Sequence, residues 1–112
     1  MKLADIIERF GDLNIHAKRA AADDYCELVF YSKDTTEWDK VITNVLGSAV
    51  KSANAKPSKE DLRITDVYGG IRAGQTLFRK DFEGHSIIAM FWPWQDQAHT
   101  TLKMAILTNS HG

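Results

Sequence analysis

Ten consecutive residues, His85 to Trp94 (His-Ser-Ile-Ile-Ala-Met-Phe-Trp-Pro-Trp), form the most apolar stretch of the chain. The run is rich in β-branched and aromatic residues and is closed by a proline, so it reads as a strand. Two further strand-like stretches flank it, at 75–82 and 99–108. Glu83-Gly84 makes a tight turn on one side, and residues 93–98 make a longer one on the other. A strand this apolar between two such neighbours restricts the C-terminal half to an antiparallel meander.

The turns suggest a register. Phe82 opposite His85 sets Phe78 against Ala89 and Lys80 against Ile87. Trp92 opposite His99 sets Ala89 against Leu102, Ile87 against Met104 and His85 against Ile106. One face then carries Phe78, Phe82, Ile87, Ala89, Phe91, Leu102, Met104 and Ile106, a continuous apolar surface. A one-residue slip would destroy it. The other face is mixed: Leu77, Ile88, Met90 and Trp92 lie beside Arg79, Asp81, Ser86 and Lys103. Such a face calls for a cover, either the N-terminal helix or a second copy of the chain.

The first half supplies the cover for the apolar face. Asp34 stands as an N-cap with Glu37 at capping-box spacing. Trp38, Val41, Ile42, Val45, Leu46, Ala49 and Val50 then recur at helical spacing, predicting one long amphipathic helix over Asp34–Lys51. Pro57 forbids its continuation past the residue before it. Residues 2–10 form a short amphipathic helix with Leu3, Ile6, Ile7 and Phe10 on one face, stopped at Gly11. Residues 25–32 read as a strand with Cys26, Leu28 and Phe30 on one side. Residues 13–22 are ambiguous between strand and helix; a short strand and a turn at Asp23-Asp24 is the preferred reading. Residues 62–68 alternate as another strand, which Gly69-Gly70-Ile71-Arg72-Ala73-Gly74 ends. The expected architecture is a single α+β domain over 1–112 with two layers. A mostly antiparallel sheet of about five strands carries the long helix on one face, and the N-terminal helix on the other face or at an edge.

Composition narrows the function classes. Of 112 residues, 44% are apolar and 26% charged, ordinary values for a folded soluble chain. Fourteen Lys and Arg oppose fifteen Asp and Glu, with no basic block to neutralise a run of phosphates, so nucleic acid is a disfavoured partner. The lone Cys26 permits no intrachain disulfide and no cysteine-based metal site. With no secretion signal and no membrane-length apolar run, the expected location is the cytoplasm.

Candidate chemistry converges at one rim of the meander. The register gathers Arg72, Gln75, Trp92, Trp94, Asp96 and His99 there, with Gly70 in the loop that leads in. Glycine amides beside Arg72 suit a small anion. His99, oriented by Asp96, suits an acid or base. Trp92 and Trp94 suit a partner interface. Against these stand plainer roles: the glycines serve a tight connection, and one Trp closes the core. Cys26 reads as a small core residue, and the carboxylate pairs Asp23-Asp24 and Glu60-Asp61 as solvated turn charges. His85 and His99 fall about 20 Å apart at strand rise, so they share no ion; His16 and His111 have no predicted place. No metal and no cofactor is expected.

Three functions follow in order. The first is a binding module, self-associating as a dimer through the mixed face, with the Arg72/Trp92/Trp94/His99 rim meeting a protein partner. The second is a small-anion binder or enzyme using residues 69–74, Arg72, His99 and Asp96. The third is a single-stranded nucleic-acid binder stacking bases on Trp92 or Trp94 beside Arg79 and Lys103.

Overall fold

A computed structural model describes residues 1–108. The chain forms α1 (Leu3–Arg9), β1 (Ile15–Ala21), β2 (Tyr25–Tyr31), α2 (Thr35–Leu46), α3 (Lys59–Thr65), β3 (Thr76–Phe82), β4 (His85–Pro93) and β5 (His99–Thr108). The five strands make one antiparallel sheet in the order β1-β2-β5-β4-β3. The expected α+β class and the meander of β3, β4 and β5 are both present. β5 also pairs with β2, so it lies at the centre of the sheet.

The β3–β4 register is the expected one, with Phe82 opposite His85 and Phe78 opposite Ala89. Gly84, at φ +85, lets this turn close in two residues. The β4–β5 register differs by two residues: Ala89 faces Met104, Ile87 faces Ile106 and Trp92 faces Thr101. The physical reason lies in the loop. The ladder runs on to Trp94, whose N–H donates to the His99 carbonyl at 2.9 Å, so the turn is confined to Gln95–Ala98. A shift of two keeps every side chain on its expected face.

The inner face buries Cys26, Leu28, Phe30, Phe78, Ile87, Ala89, Phe91, Leu102 and Met104 under Trp38, Ile42, Val45 and Leu46 of α2. Leu3, Ile6 and Phe10 join the same cluster. α1 therefore packs beside α2 and not on the opposite face. At seven residues it has too few internal hydrogen bonds to persist undocked.

α2 is shorter than its apolar periodicity suggests. Gly47, at φ +86, ends it after Leu46, and Val50 is left 53% exposed. The chain then turns back, and Lys51, the expected last residue of the helix, is buried. Its backbone bridges Leu77 of β3, and its ammonium donates to the carbonyls of Ser52 and Gln75. Burial holds that ammonium below the usual lysine range.

Residues 62–68 are not a strand. Ser58 accepts from the Asp61 N–H at 3.0 Å while the Asp61 carboxylate accepts from the Ser58 N–H at 2.9 Å, a complete capping box that starts α3. A 3-10 turn at Asp66–Tyr68 follows. Glu60 and Asp61 accordingly sit in a helical first turn; Glu60 pairs with Arg63 and with Arg79. Ile64 and Ile71 descend onto Leu77, Ile88, Met90 and Ala105, making a second core on the outer face. Within the chain it is the segment from α3 to Ile71, not α1, that packs on these residues.

Trp92 lies at the margin of that second core, and Gly69 passes directly above it. A Cβ on Gly69 would meet the Trp92 ring at 2.6 Å, and Gly69 sits at φ +100. The ring cannot yield easily, because the Lys103 ammonium lies 3.4 Å from its centroid and donates to the Tyr68 carbonyl at 2.9 Å. Gly69→Ala is expected to cost about 2–3 kcal/mol through steric and backbone strain together, measured by urea denaturation. In a Trp92→Phe background the same substitution should cost clearly less, and equal costs in both backgrounds would refute the clash.

Candidate functional site

The structure divides the expected rim. Arg72 and Gln75 bind each other: the Arg72 N–H donates to Gln75 Oε1 at 2.9 Å, and the Gln75 N–H to the Arg72 carbonyl at 3.1 Å. The Gly69 amide donates to Asp66, Gly70 to Thr65 and Gly74 to Ala53. These amides are therefore turned inward on the protein and do not form an anion-binding nest. The glycines serve the tight connection. Trp92 is held under Gly69 and against Lys103, as described above. No hydrogen bond, ion pair or ring contact among the described residues joins Arg72 or Gln75 to Trp94, Asp96 or His99.

Trp94, Asp96 and His99 stay together and acquire neighbours from β1 and β2. In the β4–β5 turn, Asp96 Oδ1 accepts from the Ala98 and His99 amides at 2.8 and 3.0 Å. This fixes a turn in which Gln97 takes φ +60. Asp96 Oδ2 lies 2.6 Å from His99 Nδ1. These bonds, the one to His99 first, hold the Asp96 carboxyl below the ordinary carboxylate range. The pair thus survives acidification until the pH falls below that range, where protonation of Asp96 removes its contribution to the turn.

Strand pairing brings the rest. His99 lies opposite Tyr31 of β2, and β1 carries His16 to the same end. The His99 ring centroid is 5.0 Å from Trp94, 5.6 Å from Tyr31 and 4.4 Å from His16. His16 Nδ1 lies 3.3 Å from Tyr31 Oη. The Trp94 indole N–H donates to Thr101 Oγ1 at 2.7 Å, which fixes the ring across the sheet end. The Arg19 guanidinium sits 5.3 Å above Trp94, and the Lys33 ammonium 5.9 Å from the Tyr31 ring. Five ring or cationic side chains (His16, Arg19, Tyr31, Trp94 and His99) therefore form one surface at the β1–β2–β5 end of the outer face, beyond the reach of α3.

Sequence reasoning had Trp94, Asp96 and His99, and missed His16, Arg19 and Tyr31. The single signal available was a run of ring and basic residues on two strands of unknown pairing. His85 does lie at the far end of β4 from the turn that carries His99, opposite Thr108; it was His16 whose position had been undetermined. Cys26 is fully buried and its thiol is raised by that burial, as a core cysteine should be. His111 lies outside the described residues.

Clefts of about 400 Å³ lie between α3 and β5, between α1 and the end of β1, and beside Tyr68, and none is lined by His16, Tyr31, Trp94 or His99. No helix among the described residues is long and apolar enough to cross a membrane. No family model matches the chain, and no curated protein or solved structure is significantly similar to it.

Proposed function

We propose that this chain is a protein-binding module whose partner docks on the open β1–β2–β5 end of the outer sheet face. The observation that carries the reading is the grouping of Trp94, Tyr31, His16, His99 and Arg19 on one surface, apart from the three clefts described above. Indole, phenol and guanidinium groups dominate interface hot spots, because each brings large contact area with one or two directional polar groups. Small-molecule sites, by contrast, are concave and enclose their ligand. The free charges at this end, Arg19 and Lys33, are positive, and Asp96 is engaged by His99. The partner is therefore an acidic segment with apolar or aromatic residues among its carboxylates. A cytoplasmic location accompanies this reading, supported by the single buried thiol.

The alternatives draw less support. An enzyme has the Asp96–His99 pair in its favour, but none of the three clefts described above is lined by either residue. A single-stranded nucleic-acid binder would stack on Trp94, yet its expected cations are committed elsewhere. Lys103 binds the Tyr68 carbonyl, and Arg79 pairs with Glu60 and Asp81. Self-association through Leu77, Ile88 and Met90 has no exposed surface to use, since all three are 0% exposed within one chain.

The test is selection of a displayed random peptide library on the immobilised protein. Enriched peptides should be rich in Asp and Glu, and their affinity should fall at least about tenfold on Trp94→Ala, the loss of a hot-spot side chain. Val67→Ala, on the opposite part of the outer face, should leave it unchanged. Peptides indifferent to Trp94→Ala, or equally sensitive to Val67→Ala, would exclude this surface as the docking site.

A further inference from the structure

We propose that His16 and His99 together form a chelating site for a divalent transition cation of the Cu(II) or Ni(II) type. The site lies within the surface described above but does not depend on any protein partner, since it is built from the chain's own imidazoles.

The argument begins with which ring nitrogens are taken. His99 Nδ1 is 2.6 Å from Asp96 Oδ2, and His16 Nδ1 is 3.3 Å from Tyr31 Oη. For His99 the carboxylate favours the proton on Nδ1 and so leaves the lone pair on Nε2. This is the arrangement in which histidines ligate metals, with the second nitrogen donating to a carboxylate or another acceptor. Among the described residues no protein group bonds either Nε2. His16 is exposed, and the His99 side chain keeps 21% of its surface.

Ring spacing supplies the second step. Each ring centroid lies a little over 1 Å beyond its ligating nitrogen. With nitrogen–metal bonds of about 2.0–2.1 Å, two imidazoles on one ion have centroids about 4.5 Å apart at a 90° angle and about 5.2 Å apart at a tetrahedral angle. The observed separation is 4.4 Å with the rings inclined at 47°. That separation is nearer the right-angled spacing, which square-planar, tetragonal and octahedral ions adopt, than the tetrahedral one preferred by Zn(II). Imidazole nitrogen suits both Cu(II) and Ni(II).

The surroundings set the character of the site. No group of three His, Cys, Asp or Glu side chains converges among the described residues. The protein thus offers two nitrogens and leaves the other positions to water or an incoming ligand, as open sites do. Asp96 is a positioning residue: it holds the His99 ring through Nδ1 and raises its basicity from the side away from the ion. Arg19 and Lys33 oppose the cation, and they are turned onto the Trp94 and Tyr31 rings. Both imidazoles must be neutral to bind, so protons compete with the cation for the site.

The experiment is a Ni²⁺ titration of the full chain at pH 7.5, followed by calorimetry and by imidazole nitrogen NMR. One equivalent should bind, and the Nε2 signals of His16 and His99 should respond together. His16→Gln and His99→Gln should each weaken binding by more than the roughly 10–100-fold expected of Asp96→Asn, which removes only the group behind the ligand. His85→Gln should change nothing, and circular dichroism checks that each variant is folded. A titration that moves neither imidazole, or one left intact by His16→Gln or His99→Gln, overturns the site whatever the outcome of peptide selection.

Discussion

Trp38→Ala should remove about 3–5 kcal/mol of stability, a large fraction of the roughly 5–15 kcal/mol that holds a domain folded. Trp38 is 0% exposed and is the largest buried side chain of the inner core. Its ring stacks on Phe30 with centroids 4.6 Å apart and planes at 10°, and meets Phe10 at 4.3 Å. It therefore links the sheet, α2 and the chain that follows α1 in a single contact. Alanine would leave a cavity between three elements, none of which can collapse onto it without moving the others. α1 should respond most. With seven residues it is held by tertiary packing alone, so hydrogen exchange at Ile6 and Ile7 should approach the rate of an open chain. Trp38→Phe provides the control. The indole N–H finds no acceptor among the described residues, so phenylalanine forfeits volume but no hydrogen bond. It should cost about half as much or less. Urea denaturation of the two variants would decide the matter, and an alanine variant within about 1 kcal/mol of wild type would contradict this account of the core.

The parts of the fold legible in the sequence are those where a local signal and the burial pattern agree. Glu83-Gly84 fixed both the turn and the β3–β4 register, because a two-residue hairpin leaves no slack. The Pro93–Ala98 connection left slack of two residues, and only parity survived. Helix ends were misjudged for a specific reason. Apolar spacing continues through Gly47 to Val50, but spacing does not record that Gly47 takes a positive φ and turns the chain away. At 62–68 two signals conflicted. Leu62, Ile64 and Val67 alternate loosely as a strand would, while Ser58 and Asp61 after Pro57 spell a helix start. The box won, because it satisfies two amides that a strand at that position would have left to water. At Asp34 the same motif was credited, yet its side chain caps no amide.

The site was half legible for a different reason. Trp94, Asp96 and His99 are close in sequence, so one turn brings them together and its chemistry can be read locally. His16, Arg19 and Tyr31 arrive through the β1–β2 and β2–β5 pairings, and β2 joins a strand more than sixty residues away. Nothing local specifies that partner. The choice follows from placing Cys26, Leu28 and Phe30 on the face that α2 covers, a property of the assembled sheet. Arg72 and Gln75 err in the opposite direction: they do lie together, but the Gln75 side-chain oxygen is taken by the Arg72 backbone N–H, and no contact among the described residues joins the two to Trp94, Asp96 or His99.

Met90→Lys should abolish the cooperative fold. Met90 is 0% exposed and packs with Ile64, Ile71, Leu77, Ile88 and Ala105. Its cross-strand neighbour on β5 is Lys103, whose own ammonium burial already depresses. A second ammonium would have to be buried beside the first, neutralised, or extruded by lifting α3 off the sheet. Burying an unpaired charge costs several kcal/mol, comparable to the whole stability of a small domain. Met90→Leu keeps the volume and should cost less than about 1.5 kcal/mol. Far-ultraviolet circular dichroism with sedimentation equilibrium separates the readings. If α3 and Ile71 seal this face, the lysine variant loses its folded signal. If a second copy of the chain sealed it instead, wild type would sediment as a dimer and the variant as a folded monomer, and the buried role of α3 would have to be given up.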